Sequence, residues 1–107
     1  MKNIWLVVPC YNEEEVLPET SRQLKAVMQS MIDSGKISSE SKIAFVNDGS
    51  KDNTWNIIST LCTGDGIFAG INLSRNKGHQ NALLAGLMTA KKYADAVISL
   101  DADLQDD

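Results

Sequence analysis

The sequence predicts an α/β fold with a mainly parallel sheet of about four strands, in the order 3-2-1-4, and helices on both faces. Short apolar runs rich in β-branched residues alternate with longer segments in which apolar residues recur at helical spacing. This alternation is typical of right-handed crossover units, which build parallel sheets covered on both sides. A polar loop follows each apolar run, so we expect the loops to gather at one edge of the sheet.

The first strand and the first helix are predicted before residue 36. Ile4–Val8 is a run of five apolar residues, which is typical of a strand buried on both faces. The acidic residues 13–15 indicate the start of a helix, where negative charge is favourable. Apolar residues then recur at helical spacing over Leu17–Ile32, and Gly35 is a plausible end.

The rest of the chain repeats this pattern. Ile43–Val46, Ile67–Leu73 and Ala96–Leu100 predict the second, third and fourth strands. Asp52 or Asn53 can cap the helix between the second and third strands. The helix before the fourth strand has three apolar residues on one face: Leu84, Leu87 and Met88.

Length and charge narrow the function classes. The 107 residues suit one domain, and 10 basic against 14 acidic residues give a net charge of −4, which argues against nucleic-acid binding. No apolar run reaches the roughly 20 residues that cross a bilayer, and the N-terminus does not resemble a signal peptide. Cys10 and Cys62 predict neither a disulfide framework nor a metal site, so we expect a cytoplasmic protein with reduced thiols.

The acidic cluster after the fourth strand is the strongest chemical signal. Asp101 and Asp103 follow the strand directly, and further aspartates stand at 106 and 107. Two carboxylates about 5 Å apart repel by roughly 3 kcal/mol at an effective dielectric constant of about 20, so a fixed pair favours a bound cation. Oxygen ligands suit Mg²⁺ or Mn²⁺, and Gln105 could add a neutral oxygen. A solvated acidic tail is the plain alternative.

Two other loops at the same edge carry candidate binding residues. Asp48, followed by Gly49, could accept hydrogen bonds from a base or a ribose, although a plain turn explains the same residues. Arg75, Lys77 and His79 precede a predicted helix, where cations and free N–H groups can hold a phosphate or a sugar hydroxyl. A capping or solvent-exposed role is the alternative for His79.

Four motifs stand in order along the whole chain: Val7–Glu14 (VVPCYNEE), Val46–Thr54 (VNDGSKDNT), Leu73–Gln80 (LSRNKGHQ) and Leu100–Gln105 (LDADLQ). Together they resemble motifs of the family 2 glycosyltransferases, which have the Rossmann-like GT-A fold. The last two are most similar to motifs of transferases that act on polyprenyl phosphates, such as dolichol-phosphate mannosyltransferases and bactoprenol glucosyltransferases.

The resemblance implies a nucleotide-sugar site in this chain. Pro9, Tyr11 and Glu13 would line the nucleotide pocket. Asp48 would recognise the base or the ribose. Arg75 would lie near the diphosphate or the sugar.

The resemblance also implies a metal site. Asp101 and Asp103, the two acids of a D-x-D pair, would hold Mg²⁺ or Mn²⁺, with help from Gln105. Asp101 would also contact the nucleotide sugar. Asn47 stands where many relatives have a second aspartate, which leaves the base contact at that position less certain.

Residues 1–107 would then be the nucleotide-sugar-binding part of a longer transferase. The acceptor-binding elements and the catalytic base would lie beyond residue 107, so this part would bind a UDP- or GDP-sugar without turning it over. The whole enzyme would transfer the sugar to a polyprenyl phosphate in cell-wall or glycolipid synthesis, anchored at the cytoplasmic face of a membrane. A sheet that ends at its fourth strand has an open edge, so self-association there is also expected.

Two alternatives remain open. Haloacid-dehalogenase-like phosphohydrolases also have a D-x-D after a strand, with the first aspartate attacking phosphorus. That motif wants Thr or Val at the position where Gln105 stands. A non-catalytic nucleotide-binding module also fits, because the sequence offers no base residue.

Overall fold

The computed structural model describes residues 1–103, in which strands and helices alternate strictly. The strands are β1 (Ile4–Cys10), β2 (Lys42–Asp48), β3 (Phe68–Leu73) and β4 (Ala96–Ser99). The helices are α1 (Leu17–Asp33), α2 (Thr54–Gly64) and α3 (His79–Lys91). The strands pair in parallel in the order β3-β2-β1-β4, which confirms the predicted fold class and strand order. Within residues 1–103, none of the helices has both the length and the apolar composition needed to cross a membrane.

Both faces of the sheet are covered by helices. Leu6 and Val8 of β1 belong to the apolar core that includes α1 and α2, whereas Trp5 and Val7 pack in a second core with α3. Side chains alternate between the faces of a strand, so every residue of such a strand meets apolar neighbours. This double coverage explains why β1 is a continuous apolar run instead of an alternating one.

β1 runs two residues further than predicted, through Pro9 to Cys10. β4 pairs with β1 only as far as Val7, opposite Ser99, whereas β2 pairs with β1 up to Cys10. Pro9 therefore lies where β1 has a single neighbouring strand, a position that tolerates a residue without an N–H group. The strand carries Pro9 directly to the edge of the sheet where the loops meet.

α1 begins later than the acidic residues 13–15 predict. Its first residue is Leu17, and Pro18 occupies the first turn, where a missing N–H group costs nothing. The N–H groups of Glu13 and Glu14 donate to side chains near the start of α2, so these two residues precede α1 and are not part of it. Both glutamates thus stay in the loop after β1, at the carboxyl edge of the sheet.

α3 meets the sheet through small residues. Ala82, Gly86 and Ala90 are buried against the strands. A Cβ atom at Gly86 would lie 2.4 Å from Cγ1 of Val7 and 2.8 Å from Cγ2 of Val46. The helix backbone therefore rests directly on the valine side chains of the sheet.

The apolar face predicted for α3 is not its buried face. Leu84 and Met88 are 53% and 62% exposed, and Leu87 is half-buried beside the core. The three residues share a face through their helical spacing, but the close approach at Gly86 turns the small residues toward the sheet instead.

Candidate functional site

A crevice opens at the carboxyl edge of the sheet, where β1 and β4 lie side by side. Three adjoining pockets form it, and Pro9 and His79 line all three. The strand order places the crevice here, because the chain moves from β1 toward β3 on one side and returns to β4 on the other. Open α/β sheets bind ligands at such a reversal of strand order.

The structure brings most of the predicted site residues into this crevice. They come from the ends of three strands and the loops after them: Pro9, Tyr11, Glu13, Asp48, Asp101 and Asp103. Arg75 is exposed and does not line any of the three pockets, so the structure does not bring it to the site as predicted. Gln105 lies outside the described residues.

Carboxylates form one wall of the crevice. Glu13, Asp101 and Asp103 line the same pocket. Burial raises the pKa of the Glu13 carboxyl above its ordinary value, and the charges of Asp103 and then Asp52 raise it further. Asp101 acts in the same direction. Burial and the neighbouring aspartates therefore disfavour the charged form of Glu13.

This donor set fits a hard divalent cation that is shared with a ligand. Carboxylate oxygens are the protein ligands that Mg²⁺ and Mn²⁺ prefer, and such ions commonly take further oxygens from phosphates. Among residues 1–103, no group of three His, Cys, Asp or Glu side chains is arranged to hold a metal ion unaided. Asp101 and Asp103 would need oxygens from the ligand or from another residue to complete a coordination shell.

Asp48 is the last residue of β2 and is only 3% exposed. Its Oδ1 accepts a hydrogen bond from the N–H group of Lys77 at 2.7 Å, which ties the loop after β3 to the end of β2. The neighbouring Asn47 faces elsewhere, since its Nδ2 donates to Oδ1 of Asn72 and its Oδ1 accepts from the N–H of Ser50. Asn47 thus joins β2 to β3 and does not line the three pockets, which accounts for an amide at this position.

Gly49 allows the loop after β3 to approach the end of β2. Its φ is +68°, in the left-handed region that favours glycine. A Cβ atom there would lie 2.2 Å from the backbone N of Asn76 and 2.3 Å from the carbonyl carbon of Arg75. No side chain fits between these two backbones, so the turn after β2 sets the position of the loop that leads to His79.

His79 lines the crevice, whereas the sequence left a capping or solvent-exposed role open for it. It is the first residue of α3, and although exposed it lines all three pockets. The available signal was its place after Gly78, at a helix start that follows a strand on the same sheet edge. The single histidine thus lines two of the pockets together with Asp101.

Cys10 also lines the crevice, but its thiol is not a nucleophile. The residue is 2% exposed, and Sγ donates to the carbonyl oxygen of Val8 at 3.4 Å. Burial, with a smaller contribution from the charge of Glu13, raises the pKa of the Cys10 thiol to about 12. The reactive thiolate is therefore absent at neutral pH.

The parallel β3-β2-β1-β4 sheet, with its acid-lined crevice at the reversal of strand order, defines a domain of the GT-A type. The crystal structure of residues 1–349 of Staphylococcus aureus TarS in complex with UDP has the same fold, with a TM-score of 0.64 and 22% identity over 94% of this chain and 27% of that one. The model of glycosyl transferase family 2 matches residues 5–107. The chain belongs to glycosyltransferase family 2.

Longer bacterial proteins of this family contain a region similar to this chain. It is 54% identical over 102 residues to the uncharacterized glycosyltransferase YkoT of Bacillus subtilis (strain 168), across 95% of this chain and 30% of that protein. It is 42% identical over 106 residues to a prophage bactoprenol glucosyl transferase homolog of Escherichia coli (strain K12), across 96% and 31%. The chain thus spans about a third of the length of these relatives. Family membership favours a transferase over the phosphohydrolase alternative.

Proposed function

We propose that this chain binds the nucleotide-sugar donor of a metal-dependent glycosyltransferase that transfers a sugar to a polyprenyl phosphate. The observation that carries the proposal is the convergence of Glu13, Asp101 and Asp103 in a crevice that also contains Asp48. The bactoprenol glucosyl transferase name of one relative supports the lipid acceptor, and the UDP complex of TarS supports a UDP-sugar over a GDP-sugar.

The two ends of the crevice suit the two ends of a nucleotide sugar. Tyr11 and Asp48 share a pocket with Asn76, where a ring can stack on the tyrosine and a hydroxyl or N–H group can donate to the carboxylate. Asp101 and Asp103 line an adjoining pocket, which shares Pro9, Tyr11 and His79 with the first but does not include Asp48. The nucleoside would occupy the Asp48 end and the diphosphate the acidic end.

Asp101 and Asp103 would hold Mg²⁺ or Mn²⁺ together with the donor phosphates, and Gln105 would add an oxygen. A bound cation would supply charge stabilisation for the departing nucleoside diphosphate. Without it, the carboxylates of the crevice would repel the diphosphate. In the complete enzyme, an acceptor phosphate oxygen would attack the anomeric carbon as the bond from that carbon to the diphosphate breaks. We assign the catalytic base to a segment outside this chain, so these residues alone would bind the donor without turnover.

The proposed acceptor indicates where the complete enzyme would act. A polyprenyl phosphate resides in a bilayer, so the complete enzyme would act at the cytoplasmic face of a membrane.

Within the described residues β4 is an edge strand, and its Ile98 is 50% exposed. We expect two copies of this chain to associate through that edge, and Ile98→Lys to shift the population to monomers in sedimentation equilibrium.

Calorimetric titration of the chain with UDP, in Mn²⁺ and in EDTA, tests the donor site. We expect binding in Mn²⁺ and a loss of affinity of at least about ten-fold in EDTA, since even indirect partners of a metal site contribute ten-fold or more. Asp103→Asn should cause a similar loss. Glu40→Gln, which removes an exposed charge outside the crevice, is the control. Equal UDP affinity with and without the metal would exclude the metal role.

A further inference from the structure

The loop after β1 (residues 11–16) is fastened to the loop after β2 (residues 49–53) and to the first residue of α2. We propose that Thr54 and Asp52 are positioning residues, which hold the first loop in the conformation that presents Glu13 to the donor. The inference rests on the proposed donor site, because it assigns to these two residues a role in forming it.

Thr54 connects Glu13 to Asp52 through one hydroxyl group. The threonine is fully buried, and its Oγ1 accepts the N–H of Glu13 at 2.8 Å. The same hydroxyl donates to Oδ1 of Asp52 at 2.5 Å, and that oxygen also accepts the N–H of Thr54 at 2.9 Å. A hydroxyl that donates to a carboxylate is a stronger acceptor, so the contacts reinforce one another.

Two further residues of the first loop are held in the same way. The N–H of Glu14 donates to Oδ2 of Asp52 at 3.3 Å, and the N–H of Asn12 donates to Oγ of Ser50 at 3.0 Å. Asn12 has a φ of 53°, and its Oδ1 accepts the N–H of Lys51 at 2.8 Å. The left-handed conformation of Asn12 is thus fixed from both the backbone and the side chain.

These hydrogen bonds determine which groups of the loop after β1 can bind a ligand. Three successive N–H groups, of Asn12, Glu13 and Glu14, all donate to side chains of the neighbouring loop or of α2. Successive free N–H groups commonly form a concave anion site, but here the protein itself occupies them. The loop can therefore contact a ligand through its side chains and not through these three N–H groups. One of these side chains is Glu13, whose carboxyl lies in the same pocket as Asp101.

The charge of Asp52 supports the same role. Burial alone would raise the pKa of Asp52, but hydrogen bonds from the hydroxyl and N–H of Thr54 and from the N–H of Glu14 outweigh burial and lower it. The carboxylate is therefore ionised at neutral pH and remains an acceptor for all three donors. Asp52 fastens the loop while lining none of the three crevice pockets.

The test compares Thr54→Val, which keeps the shape and removes the hydroxyl, with Thr54→Ser, which keeps the hydroxyl. The control is Thr63→Val in the same helix, where the exposed hydroxyl bonds only to the carbonyl oxygen of Ser59. For Thr54→Val we expect faster amide hydrogen exchange at Glu13 and UDP–Mn²⁺ affinity lower by about ten-fold, the effect of one lost hydrogen bond to a buried group. Thr54→Ser should restore both values, and Thr63→Val should change neither.

A double-mutant cycle separates positioning from general destabilisation. If Thr54 acts through Glu13, Thr54→Val should weaken UDP binding much less when Glu13 is already alanine. If Thr54→Val does not fold, Ser50→Ala removes an independent contact of the same loop and should also weaken UDP binding.

Two results would overturn the inference, and only the second would also overturn the proposed function. Unchanged UDP affinity in Thr54→Val, with faster exchange at Glu13, would show that the fastening does not serve the ligand, while leaving the donor site intact. Failure of the unaltered chain to bind UDP in Mn²⁺ would overturn the proposed function itself, and this inference with it.

Discussion

Asp48 shows how one side chain can serve both the fold and the ligand. One carboxylate oxygen accepts the N–H of Lys77, and the residue also lines the pocket that contains Tyr11. A carboxylate has capacity for several hydrogen bonds, so a bond to the backbone leaves acceptor sites for a nucleoside. The same bond fixes the loop that carries His79 into the crevice.

Removing this carboxylate should weaken the binding of a nucleoside diphosphate more than that of inorganic pyrophosphate. For Asp48→Ala we expect UDP affinity to fall by about ten-fold or more, the range for a hydrogen bond to a charged group. Asp48→Asn keeps an oxygen for the N–H of Lys77 and therefore isolates the effect of the charge. Calorimetry with both ligands measures the difference, and equal losses for UDP and pyrophosphate would mean that Asp48 does not contact the nucleoside.

The sequence motifs predicted crevice residues that stand at the ends of strands. They did not predict roles that depend on contacts with a distant part of the chain. Pro9, Tyr11 and Asp101 stand at or just after strand ends, within motifs that are visible in the sequence. The roles of Thr54 and His79 depend on where another loop lies in space, and spacing along the chain does not encode that. The role of Arg75 stays a prediction: its backbone packs against Gly49, and its side chain is exposed outside the three pockets.

At the scale of elements, the contact of α3 with the sheet depends on a missing side chain. A Cβ atom at Gly86 would overlap Val7 and Val46, whereas Gly64, the last residue of α2, has open space around it. We expect Gly86→Ala to lower the free energy of unfolding by about 1–3 kcal/mol, the usual cost of overpacking. Gly64→Ala, the control, should change it by at most about 1 kcal/mol and in the stabilising direction.

Urea denaturation of both glycine variants gives these values directly. Equal stability of Gly86→Ala and the unaltered chain would show that α3 does not approach the sheet so closely.

The turn between α2 and β3 makes stability depend on pH. Oδ2 of Asp65 pairs with Nζ of Lys25, and Oδ1 accepts the N–H of Ile67 at 3.1 Å. The hydrogen bond from Lys25, and then that from Ile67, lower the pKa of Asp65 below its ordinary value. A carboxyl with a lowered pKa in the folded state stabilises the fold above its unfolded pKa, and this contribution is lost as the pH falls through the folded value.

Asp65→Asn should therefore lower the free energy of unfolding by about 0.5–1 kcal/mol at pH 7, as for other partly exposed ion pairs. The difference from the unaltered chain should shrink below the ordinary aspartate pKa of about 3.9. Thermal melts at pH 7 and pH 3 measure it, with Glu40→Gln as the control. A difference that grows as the pH falls would contradict the assigned pairing.

At the scale of the whole molecule, topology and chemistry were predictable to different degrees. Alternating strands and helices permit few arrangements, so the order 3-2-1-4 and the sheet edge with the loops could be predicted. The bonds that fasten the loop after β1 to the loop after β2 were not predictable, because their partners are far apart in sequence and carry no periodic signal. The metal site also stays a prediction, since Gln105 lies outside the described residues.

We expect loops distant in sequence to form one site for a cation and a nucleotide at the reversal of strand order. Paramagnetic broadening of backbone amide signals by Mn²⁺, with UDP present, tests it most directly. We predict broadening at residues 10–13, 77–79 and 101–103, with little effect at the exposed Glu19 and Glu40. Broadening spread over those exposed carboxylates, or absent from residues 101–103, would contradict the account.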